Sequence, residues 1–73
     1  MSKEIENLKS LVKRLNSFDA YYEMSDDPKI LDNGLIEETS IREQLVFLPD
    51  EDLDFIMLNL NENGKFCYNR YFK

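Results

Sequence analysis

The 73-residue sequence contains no histidine, no tryptophan, one cysteine, two glycines and two prolines. Without histidine, the chain lacks the commonest general base near neutral pH and the usual zinc ligand. The single cysteine, Cys67, cannot close an intramolecular disulfide. Gly34 and Gly64 stand alone, so there is no glycine-rich phosphate loop. We therefore expect no Ser-His or Cys-His catalysis, no bound metal and no cofactor.

The sequence also lacks long apolar runs. None approaches the 18 or so residues that are needed to cross a bilayer. The N-terminal residues 1–6 lack the apolar region of a signal peptide. Together with the lone thiol, these absences predict a cytoplasmic protein with no membrane contact.

The short length limits the fold to a single domain over residues 1–73. A core of this size rarely supplies more than about 3–5 kcal/mol of net stability. Self-association or docking onto a partner is a natural way for such a chain to bury more surface.

Apolar residues at helical spacing predict three helices, near 3–23, 28–47 and 50–63. The first stripe comprises Ile5, Leu8, Val12, Leu15, Phe18 and Tyr22. Asp27 followed by Pro28 is typical of a helix start, and Gly34 allows a kink in the second helix. Gly64 suits the residue just after the third helix. We predict an all-α domain.

The aromatic C-terminal segment, residues 65–73, allows two interpretations. It can continue as helical turns whose aromatic side chains pack over the three helices. Alternatively, residues 55–60 and 66–71 can form a β-hairpin around the turn at 61–64, which would make the fold α+β. We favour the all-helical interpretation.

Carboxylates are numerous, but their pattern does not predict an enzyme. An acid–base pair needs two carboxyl groups that face one pocket with separated pKa values, and 73 residues leave little room for a pocket. Asn59, Asn61, Asn63 and Gly64 have the spacing of positions 1, 3, 5 and 6 of a twelve-residue EF-hand calcium loop. Its twelfth position is Arg70, where a calcium loop needs glutamate. We predict a protein without catalytic activity.

Charge is distributed unevenly along the chain. Residues 19–62 contain thirteen acids and two bases, whereas the whole chain has a net charge of −6. This distribution disfavours direct nucleic-acid binding and favours a protein partner with a basic surface. The predicted partner-binding acidic face comprises Asp26, Asp27, Asp32, Asp50, Glu51, Asp52 and Asp54. The alternative is that these acids only keep the protein soluble.

Nine aromatic residues are more than a helical domain of this size can bury. Tyrosine and arginine are enriched at the energetic centres of interfaces. A second candidate surface, for self-association or a partner, therefore comprises Tyr21, Tyr68, Arg70 and Tyr71. Packing at the edge of the core is the alternative for these side chains.

Two segments resemble those of small accessory proteins from bacteriophages and mobile elements, a class of uncharacterised function. They are Tyr21-Tyr22-Glu23-Met24-Ser25-Asp26-Asp27 and the ending from Gly64-Lys65-Phe66 to Asn69-Arg70-Tyr71-Phe72. That class includes acidic inhibitors of host defence, such as anti-CRISPR and anti-restriction proteins. The resemblance implies an inhibitor that occupies a nucleic-acid-binding or defence protein. The alternative function is a small homo-oligomeric interaction protein with an aromatic interface.

Overall fold

The computed structural model describes the backbone of residues 2–73 and the side chains from residue 5 onward. It contains four α-helices: α1 (Ser2–Asn16), α2 (Pro28–Val46), α3 (Asp50–Asn59) and α4 (Glu62–Cys67). A 3₁₀ turn (Tyr22–Met24) precedes α2, and a π turn (Tyr68–Phe72) follows α4. The predicted all-α fold is confirmed. Residues 2–73 contain no strand, so the alternative β-hairpin is wrong.

Helix α1 ends at Asn16, earlier than the predicted residue 23. The side-chain amide of Asn63 donates hydrogen bonds to the carbonyls of Asn16 (2.9 Å) and Phe18 (3.0 Å). The carboxylate of Asp19 accepts a hydrogen bond from the backbone N–H of Tyr21 at 2.9 Å, which closes a tight turn. Phe18 and Tyr22 thus reach the core from outside α1.

Helix α2 closely matches its predicted range of 28–47. The carboxylate of Asp27 accepts a hydrogen bond from the Lys29 N–H at 2.9 Å, and Pro28 occupies the first helical position. The helix continues through Gly34, and the absence of a Cβ there lets the ring of Tyr22 pack close to the glycine backbone. Gly34 serves close packing here and does not end the helix.

The predicted third helix is divided into α3 and α4 at Leu60 and Asn61. The side-chain carbonyl of Asn61 accepts a hydrogen bond from the Gly64 N–H at 2.8 Å, so Asn61 caps a new helix. The sequence predicted that Gly64 follows the end of a helix, and this is wrong. Gly64 is buried within α4, against Asn16 and Leu60.

The core lies between α1, α3, α4 and the C-terminal half of α2. Its buried residues are Leu8, Leu11, Leu15, Phe18, Ala20, Tyr22, Ile41, Leu45, Ile56, Leu60, Cys67 and Tyr71. Aromatic packing joins the turn after α1 to the C-terminal π turn. The ring centroid of Phe18 lies 5.4 Å from that of Tyr71 and 5.5 Å from that of Phe72. Ile41 and Leu45 are the fully buried apolar residues of α2.

The Asn63 amide provides a test of the α1–α4 connection. Replacing Asn63 with alanine leaves the Asn16 carbonyl without this donor and the Phe18 carbonyl with only the weak Cys67 thiol, and we expect the free energy of unfolding to fall by about 1–3 kcal/mol. Urea denaturation followed by circular dichroism would measure the loss. Asn59→Ala is the matched control, since the Asn59 amide bonds the Phe55 carbonyl within α3. An equal loss in both variants would contradict this role of Asn63.

Candidate protein-binding surface

The side of α2 that faces away from the core exposes large apolar side chains. Leu35, Ile36, Val46 and Phe47 retain 53%, 68%, 70% and 84% of their full exposure. Residues four, seven and eleven positions apart share one side of a helix. We call this side the α2 outer face and define it as Asp32, Leu35, Ile36, Thr39, Glu43, Val46 and Phe47.

The α2 outer face exists because α2 is apolar on two sides. Ile41 and Leu45 point into the core, whereas the pairs Leu35–Ile36 and Val46–Phe47 do not. Between the two pairs, a shallow open depression of about 430 Å³ is lined by Leu35, Ile36, Thr39, Ser40 and Glu43. Docking onto another surface would remove this apolar area from water.

The predicted acidic residues do not form one continuous face. Asp26, Asp27 and Asp32 lie at the start of α2, and Asp50, Glu51, Asp52 and Asp54 lie in the first two turns of α3. All are exposed except Asp52, which is half-buried. The 19 residues of α2 span about 28 Å at 1.5 Å per residue. The acids therefore form two clusters, one around the start of α2 and one in α3, shortly after the end of α2.

The predicted aromatic surface is only partly accessible. Tyr71 is in the core, where its hydroxyl donates a hydrogen bond to the Ala20 carbonyl, so it is not available to a partner. Tyr68 is half-buried against the core. Tyr21 is exposed, and its ring centroid lies 5.8 Å from that of Phe66 and 6.0 Å from the Arg70 guanidinium. The accessible cluster is thus Tyr21, Phe66 and Arg70.

Two neighbouring carboxylates of α2, Glu37 and Glu38, bind other side chains of the protein. The Arg14 guanidinium donates two hydrogen bonds to Glu37, at 3.0 and 2.9 Å, and this interaction holds the pKa of Glu37 below its usual value. Glu38 accepts a hydrogen bond from the Tyr22 hydroxyl and forms a salt bridge with Arg42 at 2.8 Å. The bonds to Arg14 and Tyr22 fasten α2 to the rest of the molecule, whereas the Arg42 salt bridge lies within α2.

The single thiol of the chain is buried. Burial raises the pKa of the Cys67 thiol, which opposes formation of the reactive thiolate. Across the side chains of residues 5–73, no cluster of three acidic, cysteine or histidine residues is placed to hold a metal ion. Helices within the described chain are too short or too polar to cross a membrane.

An open groove of about 470 Å³ separates the end of α1 from the start of α2. Its apolar lining comprises Phe18, Tyr22 and Ile30, and its charged lining comprises Lys13, Arg14, Asp19 and Glu37. Two positive and two negative side chains give the groove no net preference for a charged ligand. The groove is therefore a weaker candidate than the α2 outer face.

The sequence-based prediction missed all four apolar residues of the α2 outer face (Leu35, Ile36, Val46 and Phe47), although the sequence contained a signal for them. The pairs 35–36 and 46–47 are eleven residues apart, or three helical turns, and this spacing places them on one side of a helix. No protein-family model, curated protein or solved structure matches this chain. Function must therefore be argued from the geometry of the chain itself.

Proposed function

We propose that this protein is a non-enzymatic protein-binding module that docks through the α2 outer face onto a partner with a basic surface. The proposal rests on the exposure of Leu35, Ile36, Val46 and Phe47, four large apolar side chains carried by α2 and its C-terminal cap residue Phe47. Contiguous exposed apolar surface marks interaction sites on small proteins. Each side chain of this size gains about 1.5–3 kcal/mol when it is fully buried.

The charge of the module supports a basic partner. Both acidic clusters lie close to the apolar surface, and the net charge is −6. Such a field accelerates encounters with basic proteins and repels acidic ones. Where the basic surface of the partner normally holds nucleic acid, docking would block it. This action corresponds to the phage and mobile-element inhibitors that the sequence resembles.

A second candidate function is self-association through Tyr21, Phe66 and Arg70. Tyr21 and Phe66 are 56% and 43% exposed, and the Arg70 guanidinium lies over the Tyr21 ring. Sedimentation distinguishes the candidates, because self-association through this cluster gives a mass above 8.7 kDa that Tyr21→Ala reduces. The α2 outer face is the larger apolar surface and is the better supported site.

Phe47→Gln tests the proposed function. Phe47 is 84% exposed, so we expect the variant to unfold at the same temperature as the wild type. We expect at least a tenfold loss of partner recovery in affinity capture, since aromatic anchors contribute about 2 kcal/mol or more. Quantitative mass spectrometry of the captured proteins measures the loss.

Leu58→Gln is the matched control for Phe47→Gln. Leu58 is 86% exposed but lies on α3, outside the α2 outer face. A captured protein supports the proposal when Phe47→Gln releases it and Leu58→Gln does not. Equal recovery by the wild type and Phe47→Gln would contradict docking through α2.

A further inference from the structure

We infer that the partner holds α2 lengthwise in an apolar groove that has basic residues at both ends. This inference rests on the proposed function and specifies the partner site. It follows from the order of features along the chain, in which α2, a rod of about 28 Å, separates the two acidic clusters. The first acidic cluster, the two apolar pairs and the second acidic cluster succeed one another along α2 and into α3.

The spacing of the apolar pairs requires contact along the helix. Residues 36 and 47 are eleven positions apart, which is about 16 Å along the helix axis. One pocket for a single side chain cannot cover both pairs. Between them, Thr39 and Glu43 are small or flexible enough to lie along a groove wall. An apolar centre with charged ends is also the common composition of protein interfaces.

The same charges disfavour a second copy of this chain as the occupant. In an antiparallel pair, Leu35–Ile36 of one copy would meet Val46–Phe47 of the other. The acidic cluster before one α2 would then face the cluster after the other, at both ends of the contact. A parallel pair would place each acidic cluster beside the equivalent cluster of the other chain. Both arrangements bring like charges together, in addition to the net −6 on each chain.

Basic groups at both ends of the partner groove remove this repulsion. Lysine or arginine there would face Asp26 and Asp32 at one end and Asp50 and Glu51 at the other. These four side chains are exposed. Both ends would contribute to the rate of association, and the contribution would decrease with salt because exposed charges are screened.

Synthetic helical peptides of about 20 residues can reproduce the proposed groove chemistry. The first peptide carries an apolar stripe with two lysines at each end. Each of three matched peptides changes one feature. One has glutamate in place of the terminal lysines, another has the lysines at the centre of its polar side, and the third keeps the lysine ends but lacks the apolar stripe. Fluorescence anisotropy of labelled peptide measures binding to the full chain.

We expect the lysine-ended peptide to bind at least about tenfold more tightly than each matched peptide at 0.05 M salt, and this advantage to shrink at 0.5 M. Phe47→Gln should abolish its binding. Equal binding of the lysine-ended and glutamate-ended peptides would overturn the inference.

Variants of the protein test the two ends separately. One double variant replaces Asp26 and Asp32 with asparagine, and another replaces Asp50 and Glu51 with asparagine and glutamine. Each should weaken binding of the lysine-ended peptide by about threefold, and the quadruple variant should weaken it by about tenfold. Glu6→Gln with Glu62→Gln is the control, because both residues are exposed acids outside the clusters. The inference requires that this control leave binding unchanged.

The outcomes separate this inference from the proposed function. Loss of peptide binding in Phe47→Gln, with no effect of neutralising either end, would overturn the two-ended groove and leave docking through α2 intact. No effect of Phe47→Gln would overturn both. A dimer in sedimentation that Phe47→Gln dissociates would identify a second copy as the occupant and overturn the basic partner.

Discussion

Replacing Tyr71 with alanine is expected to lower the free energy of unfolding by about 3–5 kcal/mol, which is comparable to the whole stability of a domain this small. The Tyr71 ring centroid lies 5.4 Å from that of Phe18 and 5.5 Å from that of Tyr22. Removing the ring therefore opens a cavity at the point where the C-terminal π turn meets the turn after α1. Circular dichroism at 25 °C should show a largely unfolded chain.

Tyr71→Phe separates the ring from the hydroxyl. It keeps the packing but leaves the Ala20 carbonyl without its donor, so we expect a loss of about 1–3 kcal/mol. Tyr21→Ala is the matched control, because Tyr21 is 56% exposed. Urea denaturation of the three variants should give the order Tyr71→Ala, Tyr71→Phe, Tyr21→Ala from largest loss to smallest. A larger loss in Tyr21→Ala than in Tyr71→Phe would show that Tyr71 is not part of the core.

Gly34→Ala is expected to destabilise the protein by about 1–3 kcal/mol, although alanine is the better helix former. A methyl group at Gly34 would lie 2.8 Å from Cε2 of Tyr22 and closer still to two other ring carbons. The Tyr22 ring is 2% exposed, and its hydroxyl is bonded to Glu38, so the ring has little room to move. Thermal denaturation measures the loss.

Asn33→Ala is the control for Gly34→Ala. Asn33 precedes the glycine in α2 and is exposed, so alanine there should be neutral or stabilising by a few tenths of a kcal/mol. If both alanine variants stabilise the protein, the Tyr22 ring does not pack on Gly34. If only Gly34→Ala destabilises it, close packing outweighs helix propensity at this position.

Local patterns predicted α2 well because its start is specified by adjacent residues. Asp27 caps the helix and Pro28 begins it, so no distant contact is required. The end of α1 was wrong for the opposite reason. Phe18 and Tyr22 keep helical spacing with Leu15, but the amide of Asn63 takes the carbonyls that would continue the helix. A local sequence pattern cannot predict this contact, because Asn63 lies 47 positions after Asn16.

The exposure of the acids was predicted, but their arrangement and the apolar α2 outer face were not. The acids lie on the surface as expected, yet α2 holds Asp27 and Asp50 near its opposite ends. The predicted helix over 28–47 already implied this separation, but grouping the acids by their charge alone obscured it. Tyr71 was assigned to a surface because its burial depends on Ala20 and Phe18, which lie far earlier in the chain.

The position of Cys67 makes the natural chain suitable for labelling experiments. Its side chain has 0% exposure, and it is the only cysteine in the sequence. A thiol reagent can therefore react only when the structure around Cys67 opens, and the rate of modification reports how often that opening occurs. Unlabelled wild-type protein and every variant above can be compared by this rate, without adding a dye or a second cysteine.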